Sequence, residues 1–156
     1  MLRQQRDART LDPEIAAGID GGRLAPDDLV TALVRLRTEM PDATAGYLLD
    51  GYPRTLAQAK MWDAILTDRG QTIDAVVHLY ADRGVLIGRL LDRAVREGRA
   101  DDVRETIDRR LEIYQRRTDP VLDYYREAAL VRPVDADRDA EVVFEEVLSV
   151  VCGSGR

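Results

Sequence analysis

Apolar residues fall along this chain in two rhythms. Short continuous runs at Gly46 to Asp50 (GYLLD), Ala75 to Tyr80 (AVVHLY) and Leu130 to Val134 sit beside turn residues and read as buried strands. The remaining apolar positions recur at helical spacing. Asp12-Pro13 reads as a cap and first helical residue, with Gly21-Gly22 ending that short helix. Pro26 opens a second helix, with Leu29, Leu33 and Leu36 on one side and Val30 and Val34 beside them. Thr55 caps a third, running to about Arg69 with Gly70 as its stop. Asp82 caps a fourth that ends near Gly98, and the Asp102/Glu105 pair has capping-box spacing for the next. Pro120 is expected to kink or divide that helix. A last helix is expected over roughly Ala140 to Val151.

Strands alternating with amphipathic helices predict one α/β domain built on a parallel sheet. Such sheets take ligands beyond the carboxyl ends of their strands. Asp50 to Arg54 and Tyr80 to Arg83 each follow a strand end directly, so they are the turns to inspect.

Composition narrows the class. The 156 residues are 45% hydrophobic and 33% charged, the balance of a globular protein. No apolar run reaches the roughly 20 residues of a membrane span. Met1 to Thr10 is polar and carries Arg3, Arg6 and Arg9, so no secretory signal is expected there. One cysteine, Cys152, allows no intrachain disulfide and fits a reducing, cytoplasmic setting. The net charge of −6 disfavours a nucleic-acid polymer as partner. All but one of the 23 basic residues are Arg, the exception being Lys60. Codon bias accounts for that, or some of these guanidinium groups clamp phosphate bidentately.

The most informative stretch is Gly46-Tyr47-Leu48-Leu49-Asp50-Gly51-Tyr52-Pro53-Arg54-Thr55, with Gln58 one helical turn on. It places a carboxylate at a strand end, a tight Gly turn, a rigid Pro and an Arg at a helix N-terminus. The carboxylate can hold a Mg²⁺-bound water and the Arg can grip phosphate. The plainer reading is a capped strand-to-helix turn, and the residues alone leave both open. Arg89 and Arg93, four apart, share one helix face, which is either solvated or functional. His78, Trp62 and the Met residues read as core, Cys152 as inert, and Arg109, Arg116 and Arg117 as surface.

Gly46 to Thr55 with Gln58 resembles the signature G-[FY]-[LI]-[LI]-D-G-[FY]-P-R-T followed by Gln of the nucleoside-monophosphate kinases, adenylate kinases above all. Other matches follow in order over nearly the whole chain. Met1-Leu2-Arg3 is similar to the end of the family's S-T-G-D-M-L-R stretch. Arg23 to Val30 is similar to its G-x-L-V-P-D-E-[LV]-V segment. Arg89, Arg93 and Arg99 to Asp102 resemble residues flanking its lid, Arg110 an Arg in the next helix, and Val134-Asp135 its V-D-G turn.

The resemblance implies a P-loop NTPase-like three-layer α/β fold and the reaction MgATP + AMP ⇌ 2 ADP, carried out by a monomer. It implies that Arg3 and Arg54 hold the AMP phosphate and that Arg23, Leu24, Ala25 and Gly51 lie along AMP. Val30 would lie in the adenine pocket, and Gln58 would read the adenine edge. Asp50 would orient Mg²⁺ through water, and Arg54, Arg93, Arg99 and Arg110 would form the catalytic set around the transferring phosphoryl group. Arg89 and Arg138 would lie at the ATP adenine, with Arg93 also on the ATP side. It divides the domain into an AMP-binding part (1–40), a core (41–93 and 103–156) and a short lid (94–102).

Three departures from the family shape the expectations. The lid is short and holds no cysteine cluster, so no zinc is expected. Ala136 replaces the Gly of V-D-G, at roughly 1 kcal/mol if positive φ is needed there. The family's first strand and its phosphate loop, G-x-x-x-x-G-K-[ST], have no counterpart in these residues. The sequence thus reads as an N-terminally truncated member whose Met1 matches an internal Met. The Gly46–Asp50 and Ala75–Tyr80 strands are expected to lack the partner between them, and turnover is expected to be negligible. A non-catalytic nucleotide-binding paralogue and a UMP/CMP-type kinase are the alternatives.

Overall fold

The computed structural model describes residues 13–20, 23–97 and 104–153. In chain order they form α1 (Pro13–Asp20), α2 (Asp27–Thr38), a 3₁₀ turn (Pro41–Ala43), α3 (Leu56–Asp68), β1 (Val76–Tyr80), α4 (Arg83–Glu97), α5 (Arg104–Ile113), a π-helical segment (Tyr114–Thr118), α6 (Asp119–Glu127), β2 (Val131–Asp135) and α7 (Ala140–Gly153). The fold is a mostly helical α/β arrangement around a two-stranded parallel sheet. Its register runs from Val76 beside Val131 to Tyr80 beside Asp135. The expected partners Asp12, Gly21, Gly22, Gly98 and Asp102, the site candidates Arg3 and Arg99, and most of the expected lid lie outside the described residues.

Helix α3 is the element on which α2 and α6 pack. Thr55 is its N-cap, its hydroxyl oxygen accepting the Gln58 backbone N–H at 3.1 Å. Gly70, at φ +65°, turns the chain out of the helix at the other end, a conformation that costs a Cβ-bearing residue. One face of α3 contributes Trp62 and Leu66 to a core with Val34 and Tyr52, which Val30, Leu49, Ile65 and Ile73 complete. Next to them on the same helix, Ala59 meets Val121 and Tyr125 of α6, beside Val76 and Val131 of the sheet and Leu130 just before β2. Tyr124 and Tyr125 both donate their hydroxyls to the Asp63 carboxylate, at 2.8 and 3.2 Å, and tie α6 to α3.

The structure corrects several expectations. Gly46 to Asp50 is irregular and is not a strand. Among the described residues no strand lies beside it; the Gly46 N–H donates to the Ala43 carbonyl at 3.2 Å, and groups without a ladder partner turn to water. Leu48 is accordingly 71% exposed, so the buried, unpaired backbone expected here does not arise. Leu49 and the Tyr47 ring still reach inward, the latter meeting Trp62 edge-on at 6.2 Å.

On α2 the buried positions are Thr31 and Val34, with Val30 against the core, while Leu36 faces solvent. The inward face is set by what α3 and the turn before it offer, a Tyr52 hydroxyl for Thr31 among it, and not by the leucine spacing. Met40 is exposed because it follows the end of α2. Pro120 does divide its helix: lacking an N–H, it sits in the first turn of α6 after the wide turn at Tyr114–Thr118. Ala136 carries no strain, since Ala129 is the only non-Gly residue with positive φ among those described.

Candidate nucleotide site

The turn from Asp50 into α3 is built backwards from Arg54. Its Nε donates to the Gly51 carbonyl at 2.7 Å, folding the side chain over that residue. Gly51 has φ +67°, and a Cβ there would meet Arg54 Nη2 at 2.5 Å. The backbone favours glycine at Gly51, and the missing Cβ leaves the guanidinium room to fold over it. The Tyr52–Pro53 peptide is cis. With Nε engaged, the two Nη groups are left for a ligand's oxygens, beside the N-terminus of α3. A guanidinium and the free N–H groups of a helix start together favour an anion.

Gln58 lies beneath this turn and is 2% exposed. Its Oε1 accepts the Arg54 backbone N–H at 2.7 Å, and its Nε2 donates to Asp27 Oδ1 at 2.8 Å. Asp27 is the first residue of α2, so this amide joins the starts of two helices. Tyr52 closes the same corner. Its hydroxyl lies 2.9 Å from Thr31 Oγ1 and 3.5 Å from the Gln58 carbonyl oxygen. Burial pushes the Tyr52 hydroxyl pKa up; Thr31 opposes the shift and the Asp27 charge adds to it. Thr118, in the π-helical segment, donates to the Arg54 carbonyl at 3.1 Å.

Of the residues ahead of α2, Arg23 is exposed, Leu24 half-buried and Ala25 buried. Val30 packs against the core beside Tyr52. Thus Gly51, Arg54 and Gln58 come together around one turn, with Val30 packed against the core that holds Tyr52. Asp50 is exposed, on the rim of an open groove of about 410 Å³ lined by α2 and residues 42–52. Among the described residues no three carboxylate, imidazole or thiol groups cluster as a metal cage. A single exposed carboxylate beside the Arg54 turn nonetheless fits Mg²⁺, which keeps most of its waters and takes few protein ligands.

A second group forms where β1 and β2 end. Arg89 of α4 reaches across to donate to the carbonyls of Ala136 at 2.5 Å and Arg138 at 3.3 Å. Asp137 accepts the Asp82 N–H, and Asp82 in turn caps α4 by accepting the Gly84 N–H at 2.7 Å. Arg138 pairs with Glu146 of α7, and that hydrogen bond raises its pKa. Arg89 and Arg138 are thus brought together.

Arg93 lies on α4 and Arg110 on α5, both half-buried. Asp108 of α5 receives Arg104 and Arg83, each at 2.9 Å, which binds α5 to the start of α4. Asp27, Thr118, Asp137 and Asp63 went unnoticed in the sequence. Asp27 and Gln58 are 31 residues apart, and Thr118 and Arg54 are 64 apart, so no local pattern couples them.

A sequence profile described as adenylate kinase matches residues 1–130. This chain belongs to the adenylate kinase family. The adenylate kinase of Clavibacter michiganensis subsp. michiganensis is 42% identical over 150 residues, which is 96% of this chain and 75% of that protein. That of Rhodopirellula baltica is 44% identical over 143 residues, covering 89% of this chain and 74% of its own length. That of Leifsonia xyli subsp. xyli is 46% identical over 125 residues, covering 80% and 63%. The turn around Arg54 is therefore part of an adenylate kinase fold, in a phosphotransferase family whose members handle nucleotides. Among the described residues no helix is long and apolar enough to cross a membrane.

Proposed function

We propose that this chain forms the AMP side and much of the ATP side of an adenylate kinase. That enzyme passes a phosphoryl group reversibly between MgATP and AMP to give two ADP, as a cytoplasmic monomer. The observation that carries this reading is the turn in which Gly51, Arg54 and Gln58 are held by one another.

Arg54, with Arg3, binds the AMP phosphate through its Nη groups, and Gln58 meets the adenine edge. Arg23, Leu24, Ala25 and Val30 line the nucleoside. Arg93, Arg99 and Arg110 offset the charge of the transferring group, while Arg89 and Arg138 flank the ATP adenine. Asp50 orients Mg²⁺ through water, and the ion supplies charge neutralisation on the phosphates. Such a reaction needs little covalent help from protein. Its barrier falls through positioning and fixed positive charge.

The 156 residues contain no G-x-x-x-x-G-K-[ST] loop, and by themselves they turn over negligibly in this reading. Loss of one preorganised charge-stabilising donor costs about 10²–10³ in rate, and a whole phosphate cradle contributes several. The test is coupled ADP formation from ATP and AMP by the purified chain, alongside calorimetry with AMP alone. AMP binding without turnover is the expected result. Turnover near that of a complete adenylate kinase overturns the inactivity, and failure to bind AMP overturns the assigned AMP side.

A further inference from the structure

The two ends of the Gln58 amide are almost equal in size, so only its neighbours decide which way it points. Here both neighbours are one-sided. The Arg54 backbone N–H can only donate, and it lies 2.7 Å from Oε1. The Asp27 carboxylate accepts, 2.8 Å from Nε2. Turning the amide over would set oxygen against carboxylate oxygen and NH₂ against N–H. With Gln58 only 2% exposed, water has little room to relieve either clash. The backbone N–H is present whatever the side chains. Asp27 is the element that the sequence supplies.

We propose that Asp27 is a positioning residue that locks the Gln58 amide and thereby makes the AMP side accept a 6-aminopurine over a 6-oxopurine. The proposal rests on the reading of Gln58 as the side chain that meets the base. Once Arg54 and Asp27 are served, Oε1 keeps one lone pair and Nε2 keeps one N–H. A 6-aminopurine presents a ring acceptor at N1 beside an amino donor, which matches that remaining pair. A 6-oxopurine presents N1–H beside a carbonyl oxygen and needs the amide inverted. An amide free to turn would serve both bases, whereas a locked one rejects the second by leaving buried groups unpaired.

The experiment uses the full chain, as itself and as Asp27→Asn and Asp27→Ala. Asp27→Asn keeps the shape but can present either an oxygen or an NH₂ to Gln58. Affinities for AMP and IMP are measured by calorimetry, with circular dichroism as the check on folding. The Gln58 side-chain NH₂ signals are followed by ¹⁵N NMR. The AMP-over-IMP preference is expected to fall about tenfold or more in both variants. IMP affinity should stay level or rise, since Arg54 still holds the phosphate.

A folded variant that keeps the original preference overturns the proposal, even if its melting temperature drops, because Asp27 is then a structural tie alone. If AMP leaves the Gln58 amide signals of the unaltered chain in place, the base-reading role fails, and the proposal with it. If those signals move but the preference survives Asp27→Asn, the proposal fails and the reading of Gln58 stands.

Discussion

Thr118 donates its hydroxyl to the carbonyl oxygen of Arg54, 64 residues earlier, at 3.1 Å. The bond runs from the π-helical segment to the residue whose guanidinium is proposed to hold the AMP phosphate. With the Gln58 bond to the N–H, it fixes both backbone groups of that residue. Thr118→Val keeps the shape and removes the donor. Stability is expected to fall by about 1 kcal/mol in urea denaturation. AMP affinity is expected to weaken several-fold by calorimetry, because the Arg54 carbonyl is no longer pinned.

Gly51→Ala separates the backbone requirement from the guanidinium. The positive φ costs about 1 kcal/mol, a loss that the fold should survive by circular dichroism. The new Cβ meets the far end of a flexible side chain at 2.5 Å, so Arg54 is expected to swing away and not unfold its surroundings. AMP binding should drop about tenfold or more, as expected when a charge-assisted phosphate contact is lost. Unchanged affinity in a folded variant would separate Gly51 from the phosphate site.

Asp63→Ala leaves the Tyr124 and Tyr125 hydroxyls without their carboxylate, and Tyr125 is 1% exposed. Hydrogen bonds to a charged acceptor contribute about 1.5–3 kcal/mol each. Because Tyr124 is only half-buried, its share is the smaller. A loss of about 2–4 kcal/mol in chemical denaturation is expected, with the Gly51–Arg54 turn unaffected. The same contacts push the Tyr125 hydroxyl pKa well above its ordinary range, burial being the largest cause and Asp63 the next.

His78 lies half-buried on β1, and desolvation lowers its pKa below 6.5, with the Arg126 charge adding to the shift and Asp119 opposing it. The unfolded chain therefore binds a proton more readily than the folded one. Stability is complete above about pH 6.5 and declines as pH falls through that value toward the folded pKa. His78→Gln should flatten the pH dependence of urea midpoints in that window. An unchanged slope would mean that carboxylates, and not His78, govern it.

What the sequence announces and what it hides divide along chemical lines. Local devices were legible: the Thr55 cap, the Gly70 stop, the Asp82 cap and the break at Pro120 each act within a few residues. The Gly51–Arg54 turn was readable as a candidate for the same reason. Gly46 to Asp50 was misread because apolar content describes a strand's faces, whereas a strand exists only through its neighbour. Thr31 on α2 was overlooked because a polar residue enters a core only if a distant group, here the Tyr52 hydroxyl, answers it. Asp27 was hidden for a related reason, as its partner becomes visible only once α2 and α3 are laid side by side.

The bare flank of the sheet bears on how this chain behaves in the tube. Among the described residues β1 and β2 pair only with each other. Leu79 and Tyr80 lie half open near one end, while Leu48 stands 71% exposed. Sticky, unmated backbone of this kind recruits further copies, and a net charge of −6 gives only electrostatic resistance. Light scattering should therefore show self-association that grows with protein concentration and with salt, as screening removes the repulsion. A Leu48→Lys exchange should delay its onset.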